Sequence, residues 1–138
     1  MGQPTAEERQ HGASRIEVYR GPTGHLTRFP RYNDPVRLLE TRAGRCGEWA
    51  NCFALCARAV GFEARWVLDV TDHVWVEVWD AHGGRWVHAD PCENVCDAPL
   101  LYERGWGKKL SYVLSFSSHE AVGGHVTLAC MHACMQVT

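Results

Sequence analysis

An α+β fold, with one amphipathic helix laid on an antiparallel sheet, follows from three stretches of the chain. Between Cys46 and Val60, the residues Trp49, Cys52, Phe53, Cys56 and Val60 recur three and four positions apart, which gathers apolar side chains on one helix face. From His73 to Trp79 the pattern becomes strict alternation, with His73, Trp75, Glu77 and Trp79 on one face and Val74, Val76 and Val78 on the other. Asp80-Ala81-His82-Gly83 then reads as a four-residue turn, and residues 84–90 return as the second strand of a hairpin.

The remaining elements fall around these three. Residues 1–14 are polar, rich in Gly, Pro, Gln and Ser and without clear periodicity, so they read as a flexible leader. A core is expected over residues 15–122. Ile16-Glu17-Val18-Tyr19 alternates as a short strand, Gly21-Pro22-Thr23-Gly24 is a turn, and the prolines of Phe29–Pro35 predict irregular chain. Asp34 caps a short helix that has Pro35 at its first position and ends before Gly44. Gly61, which tolerates positive φ, stops the long helix, and residues 64–70 form a strand closed by Thr71-Asp72. Residues 92–103 mix turn and helical signals, Gly105–Lys109 is a loop, and Leu110–Ser115 is a strand. Residues 123–138 are an atypical tail, matching neither a clean strand nor a capped helix.

Composition narrows the function classes. A chain of 138 residues suits one domain, and its six tryptophans supply large apolar area for a core. The formal net charge of −2 gives no reason to expect nucleic acid or an acidic membrane as partner. The opening Met1-Gly2-Gln3-Pro4-Thr5-Ala6 has no apolar signal core, and no stretch approaches the ~18 apolar residues of a membrane span. A cytoplasmic protein is therefore expected. Seven cysteines, an odd number without an export signal, are expected to be reduced thiols.

One of those thiols stands apart by position. Cys46 follows the turn-forming Ala43-Gly44-Arg45 and opens the long helix, where peptide dipoles favour its anion. A loop of residues 80–83 would set Trp79 opposite Gly84, Glu77 opposite Trp86, Trp75 opposite His88, and His73 opposite Asp90. Directly opposed residues have Cβ atoms ~4.5–5.5 Å apart, so His73 and Asp90 are expected to be hydrogen-bonded. Thiol, imidazole and carboxylate in that order form the relay of a cysteine-nucleophile hydrolase or acyltransferase. Gly47 leaves room for a carbonyl near the backbone N–H groups that would stabilise an oxyanion. The plainer reading keeps Cys46 as a helix residue, His73 as a strand polar residue and Asp90 as a turn former before Pro91. Nothing in the pattern by itself names a substrate.

Longer motifs do. Thr27-Arg28-Phe29-Pro30-Arg31-Tyr32-Asn33, Leu38-Leu39-Glu40-Thr41-Arg42 and Gly44-Arg45-Cys46-Gly47-Glu48-Trp49 resemble the cytoplasmic peptide:N-glycanases of the transglutaminase-like superfamily. The resemblance continues through Asp72-His73-Val74-Trp75, Arg85–Asp90, Cys92-Glu93 and Gly105–Tyr112, covering roughly residues 16–122. It implies a papain-like core and an amidase that removes N-linked glycans from misfolded glycoproteins, turning the glycosylated asparagine into aspartate. It puts the catalytic cysteine, histidine and aspartate on Cys46, His73 and Asp90, and chitobiose contacts on Glu93 and Trp106. Trp49 joins these as a residue favouring a sugar substrate.

Two departures from the family pattern accompany the resemblance. One zinc-binding Cys-x-x-Cys pair of the family falls on Gly21 and Gly24, so neither a zinc ion nor another cofactor is expected. After Val122 the family's strand-rich sequence is not matched, as though the fold were truncated. Cys92, Cys96, Cys130, His132 and Cys134 lack the spacing of a familiar zinc ribbon and read as adventitious thiols. The family also implies an unfolded N-glycosylated protein as substrate and a proteasome-linked ubiquitin receptor as partner. Two rival functions stand beside the amidase: a glycan or unfolded-chain binding module without turnover, and another transglutaminase-like acyltransferase or protease.

Overall fold

The computed structural model describes residues 2–125. Its elements run α1 (Ala6–Gln10), β1 (Arg15–Arg20), β2 (Leu26–Arg31), α2 (Pro35–Thr41), α3 (Cys46–Ala59), β3 (Ala64–Asp69), β4 (His73–Asp80), β5 (Arg85–Asp90), β6 (Val95–Cys96), β7 (Tyr112–Phe116) and β8 (Ala121–His125), with a π-helical turn at Leu101–Gly105. Strands β6-β5-β4-β3-β7-β8 form one antiparallel sheet in that spatial order, and β1 and β2 pair separately. The α+β architecture is thus the one the three sequence patterns predict.

Helix α3 lies on the valine face of the hairpin. Ala50, Ala57, Phe53 and Ala54 meet Val74, Val76 and Val78, with Cys46 at the edge of the same cluster. Small residues on the helix let it approach the sheet closely, and the β-branched valines fill the pleat. The opposite face is covered by the segment after β6, whose Tyr102 and Leu110 pack on Trp75 and Val67. His73, Trp75 and Glu77 therefore point away from the valine cluster, and the alternation read from the sequence is realised in three dimensions.

Residues 2–14 depart from the flexible leader expected of them. Thr5 Oγ1 accepts from the Glu8 N–H at 3.1 Å, and Glu8 Oε2 accepts from the Thr5 N–H at 2.6 Å, a reciprocal cap that starts α1. Gly2 N–H donates to the Ile16 carbonyl, Arg28 pairs with Glu8, and Ala13 is buried with Ile16, Tyr32, Leu38 and Cys52. The segment is held against the β1–β2 ribbon by these bonds and by the buried Ala13, while α1 itself stays on the surface. Residues 26–31 also differ from expectation: they form β2 although Pro30 lies inside it. In a two-stranded ribbon β2 has an outer edge, where a missing proline N–H costs no ladder bond.

The boundary drawn at residue 122 moves as well. Strand β8 runs through it to His125, and Gly123 sits so close to Leu114 that an added Cβ would lie 2.4 Å from Leu114 Cδ2. The glycines that look like a break in the sequence are instead what lets β8 close on β7. The remainder of the expected tail, residues 126–138 with Cys130, His132 and Cys134, lies outside the described residues.

Candidate active site

Helix α3 delivers Cys46 as its first residue, and charged side chains fix that end. Glu48 Oε2 accepts from the Arg45 N–H at 2.9 Å, while Arg31 clamps the same carboxylate at 2.5 and 2.8 Å through Nε and Nη2. Strand β2 is thereby fastened to the helix start, and one orphan N–H of the helix is satisfied. Cys46 is half-buried against the sheet. A Cβ added to Gly47 would meet only Val74 Cγ2, at 3.9 Å, so the backbone beside the thiol stays open.

His73 and Asp90 meet as expected, though by a different register. Asp80 remains in β4, and the loop is Ala81–Gly84: Gly84 adopts φ +62° and donates its N–H to the Asp80 carbonyl at 2.8 Å. The ladder accordingly pairs Trp79 with Trp86, Val78 with Val87, Glu77 with His88 and Val76 with Ala89. Relative to the expected pairing, β5 is displaced by two residues. Because side chains alternate with period two, such a displacement keeps His73 and Asp90 on one face, now as diagonal neighbours. His73 Nε2 lies 2.7 Å from Asp90 Oδ2. That bond occupies Nε2, and the other side of the relay is the interaction of the His73 ring with the Cys46 thiol. The structure thus brings the three sequence-predicted residues together.

Asp90, though 1% exposed, has a full set of donors. Oδ1 accepts from the N–H groups of Cys92 at 2.8 Å and Glu93 at 3.1 Å; Oδ2 accepts from His73 and from the Tyr102 hydroxyl, each at 2.7 Å. Burial pushes its carboxyl pKa up, but the His73 and Tyr102 hydrogen bonds, helped by the Glu93 N–H and the His73 charge, hold it below the usual carboxylate range. Burial likewise pulls the His73 pKa down, and hydrogen bonds and charges from Asp90 and Cys46 outweigh it, raising it to about 9. For Cys46 the His73 hydrogen bond is the leading influence; it overcomes burial and, with N–H groups of Gly47 and Val74, brings the thiol below its ordinary value. These shifts favour proton transfer from the Cys46 thiol to the His73 ring, with the Asp90 carboxylate behind it.

The residues expected to touch sugar are distributed unevenly. Trp106 is 45% exposed and stands edge-on to the His73 ring, with centroids 4.9 Å apart, so an indole borders the relay directly. Glu93 is exposed just beyond Asp90, and its own N–H helps hold that carboxylate. Trp49 is partly buried on the first turn of α3. The loop carrying Trp106 is tied down by Lys108 Nζ, 2.7 Å from the buried Asp69 Oδ2, which also accepts from the Thr71 hydroxyl.

Several participants lacked a sequence signal strong enough to single them out. Tyr102 comes from the irregular stretch after β6. His88 Nε2 lies 2.8 Å from the Tyr102 hydroxyl, and simple alternation along β5 puts it on the Asp90 face. An open apolar groove of about 860 Å³ lies elsewhere, between Phe53, Val60 and Phe62 beyond the middle of α3 and Val78 and Trp79 near the hairpin tip. It does not include the relay. Gly21 and Gly24 bound a tight turn, the Gly24 N–H donating to the Gly21 carbonyl at 2.9 Å. Cys92 and Cys96 are free exposed thiols, and no cluster of three or more His, Cys, Asp or Glu side chains placed to hold a metal exists among the described residues.

A helix-borne cysteine facing a hairpin-borne histidine and aspartate is the arrangement of a papain-like hydrolase core. A family model described as "Transglutaminase-like superfamily" matches residues 2–91, and the chain belongs to that superfamily. Its curated relatives are more particular. The chain is 61% identical over 130 residues to a peptide-N(4)-(N-acetyl-beta-glucosaminyl)asparagine amidase of Gallus gallus, covering 94% of this chain and 20% of the relative. Proteins of the same name from Homo sapiens and Oryza sativa subsp. japonica are each 58% identical, over 130 and 118 residues; these cover 94% and 85% of this chain and 20% and 26% of those proteins. The chain therefore spans about a fifth to a quarter of the length of these relatives.

Proposed function

We propose that this chain carries the catalytic core of a peptide:N-glycanase, an amidase that hydrolyses the bond between an N-linked glycan and its asparagine. The observation that carries the reading is the Cys46–His73–Asp90 relay, in a chain so similar to amidases of that name. In the proposed reaction the Cys46 thiolate attacks the side-chain amide carbonyl of the glycosylated asparagine. Open backbone beside Gly47 lets N–H groups face the developing oxyanion. His73, protonated by virtue of its raised pKa, passes its proton to the departing glycosylamine nitrogen as the carbon–nitrogen bond breaks. A thioester on Cys46 remains. His73, now neutral, takes a proton from water, the hydroxide adds to the thioester, and aspartate leaves as the thiolate is restored.

Trp106 and Glu93 suit the chitobiose, the indole covering a pyranose face and the carboxylate accepting hydroxyl protons, with Trp49 at the rim. A misfolded N-glycosylated protein is the substrate on this reading, as the family resemblance implies. A cytoplasmic location, a part in ER-associated degradation and a proteasome-linked ubiquitin receptor as partner accompany this reading and rest on the family resemblance. No helix among the described residues is long and apolar enough to cross a membrane. Incubation with a denatured high-mannose glycoprotein tests the proposal: deglycosylation is expected with the unaltered chain and not with Cys46→Ala. Equal deglycosylation by both would remove Cys46 from the mechanism.

A further inference from the structure

Two fully buried side chains with polar atoms lie behind Asp90. Tyr102 is 0% exposed and His88 1% exposed, yet neither reaches the cleft where a substrate would bind. A phenol has a single proton, and here two acceptors compete for it: Asp90 Oδ2 at 2.7 Å and His88 Nε2 at 2.8 Å. Charge decides between them. Asp90 is an anion, and a hydrogen bond to an ionised acceptor is about twice as strong as a neutral one. The Tyr102 proton therefore goes to Asp90, which obliges His88 to donate from Nε2. His88 must then be the neutral tautomer protonated at Nε2, and burial holds its pKa down at about 4. Nδ1 of the same ring is buried without a hydrogen-bond partner among the described residues, as a bare ring nitrogen can be at less cost than an N–H.

We infer that Tyr102, backed by His88, is a positioning residue for the relay: the order His88→Tyr102→Asp90←His73 fixes where every proton sits and which way the carboxylate faces. The local backbone fits this role. Tyr102 lies in the π-helical turn Leu101–Gly105 and Trp106 caps it, the Trp106 N–H donating to the Leu101 carbonyl at 3.2 Å, and such turns are rare and frequently found at functional sites. One widened turn thus sends a phenol under Asp90 and an indole over His73, whose ring centroids lie 4.8 Å from Tyr102 and 4.9 Å from Trp106. Tyr102 also spreads the Asp90 charge over a second donor. Without it, more of that charge falls on His73, and the imidazolium becomes harder to deprotonate.

The inference rests on the Cys46–His73–Asp90 reading, so its test avoids glycan turnover. The rate of Cys46 alkylation by iodoacetamide, followed by peptide mass mapping to separate it from the other thiols, is measured against pH. A low-pH step marks formation of the ion pair, and an alkaline step near pH 9 marks loss of the His73 proton. In Tyr102→Phe, which keeps the ring, the alkaline step is expected to rise by about half to one pH unit, a three- to tenfold change in that equilibrium. An unmoved step accompanied only by a lower melting temperature would make Tyr102 a packing residue and overturn the inference. A measurement on the unaltered chain guards against misfolding of the variant: nitrogen-15 NMR of the imidazoles is expected to show His88 neutral and protonated at Nε2 at pH 7. A His88 protonated at Nδ1, or cationic, would reverse the order of bonds and refute it. Absence of deglycosylation with both results intact would instead count against the amidase reading alone.

Discussion

At the scale of the residue, the site turns on a proton that is placed before substrate arrives. His73 is charged to about pH 9 and Cys46 ionises below the ordinary thiol range, so the nucleophile and the acid are ready together. The predicted pH dependence of kcat/KM is a bell: the acid limb follows protonation of the Cys46 thiolate, and the alkaline limb, near pH 9, follows loss of the His73 proton needed by the leaving nitrogen. A flat profile through pH 9 would contradict it. Asp90→Asn should lower kcat by about 10³–10⁴ through the wrong imidazole tautomer, with the fold retained by circular dichroism. The three relay residues were legible because each stands at an element boundary that the sequence marks: a helix start, a strand start and a strand end. Tyr102 was not, since no periodicity governs the segment between Cys96 and Tyr112, and only the folded chain reveals that it turns back beneath Asp90.

At the scale of the element, period and punctuation made α2, α3, β3, β4 and β5 readable, while register and docking escaped. The hairpin illustrates why. Loop length was right at four residues, but which four depends on where a positive φ is needed, and Gly84 rather than Asp80 meets that need. The relay survived the displacement because it was even. Helix α1 was missed for a different reason: the Thr5–Glu8 capping box was present in the sequence, but five residues of helix have too little periodicity to be recognised. Thr5→Ala should therefore cost about 1 kcal/mol, read as faster amide hydrogen exchange in residues 6–13. The loop bearing Trp106 depends on the Lys108–Asp69 pair, of which Asp69 is fully buried. Lys108→Met leaves that carboxylate without its cation and should destabilise the protein by about 3 kcal/mol in chemical denaturation. If the loop positions Trp106 over sugar, KM for glycopeptide should rise in the same variant.

At the scale of the whole molecule, two layers on one sheet divide the labour. Helix α3 on the valine face supplies the thiol, and the segment behind Trp75 supplies the hydroxyl and the indole that frame the imidazole. Stability should register how these charges are coupled. Taken alone, the raised His73 pKa gives stability that is complete below the unfolded value of about 6.5 and lost as pH rises through about 9. The lowered Cys46 pKa has the opposite sign: its contribution is complete above the unfolded thiol value of about 8.5 and is lost as pH falls. The two contributions have opposite slopes with pH and partly cancel. The lowered His88 pKa adds stability that is lost as pH falls from about 6.5 toward 4, and Asp90 follows at lower pH. Thermal melts should accordingly vary less with pH on the alkaline side than His73 alone would dictate, and fall below about pH 6.5. In Cys46→Ala stability should fall more steeply with rising pH, as His73 loses the opposing contribution of the thiol; an unchanged slope would mean that the two groups are not coupled.

The chemistry itself is tested most directly by acid-quenching a reaction with a high-mannose glycopeptide and mapping both partners by mass spectrometry. The account predicts aspartate in place of the glycosylated asparagine, an intact reducing glycan, and a transient peptide thioester on Cys46. Cleavage between the two core sugars, leaving one on asparagine, or turnover with no adduct on Cys46 at any time point, would contradict it.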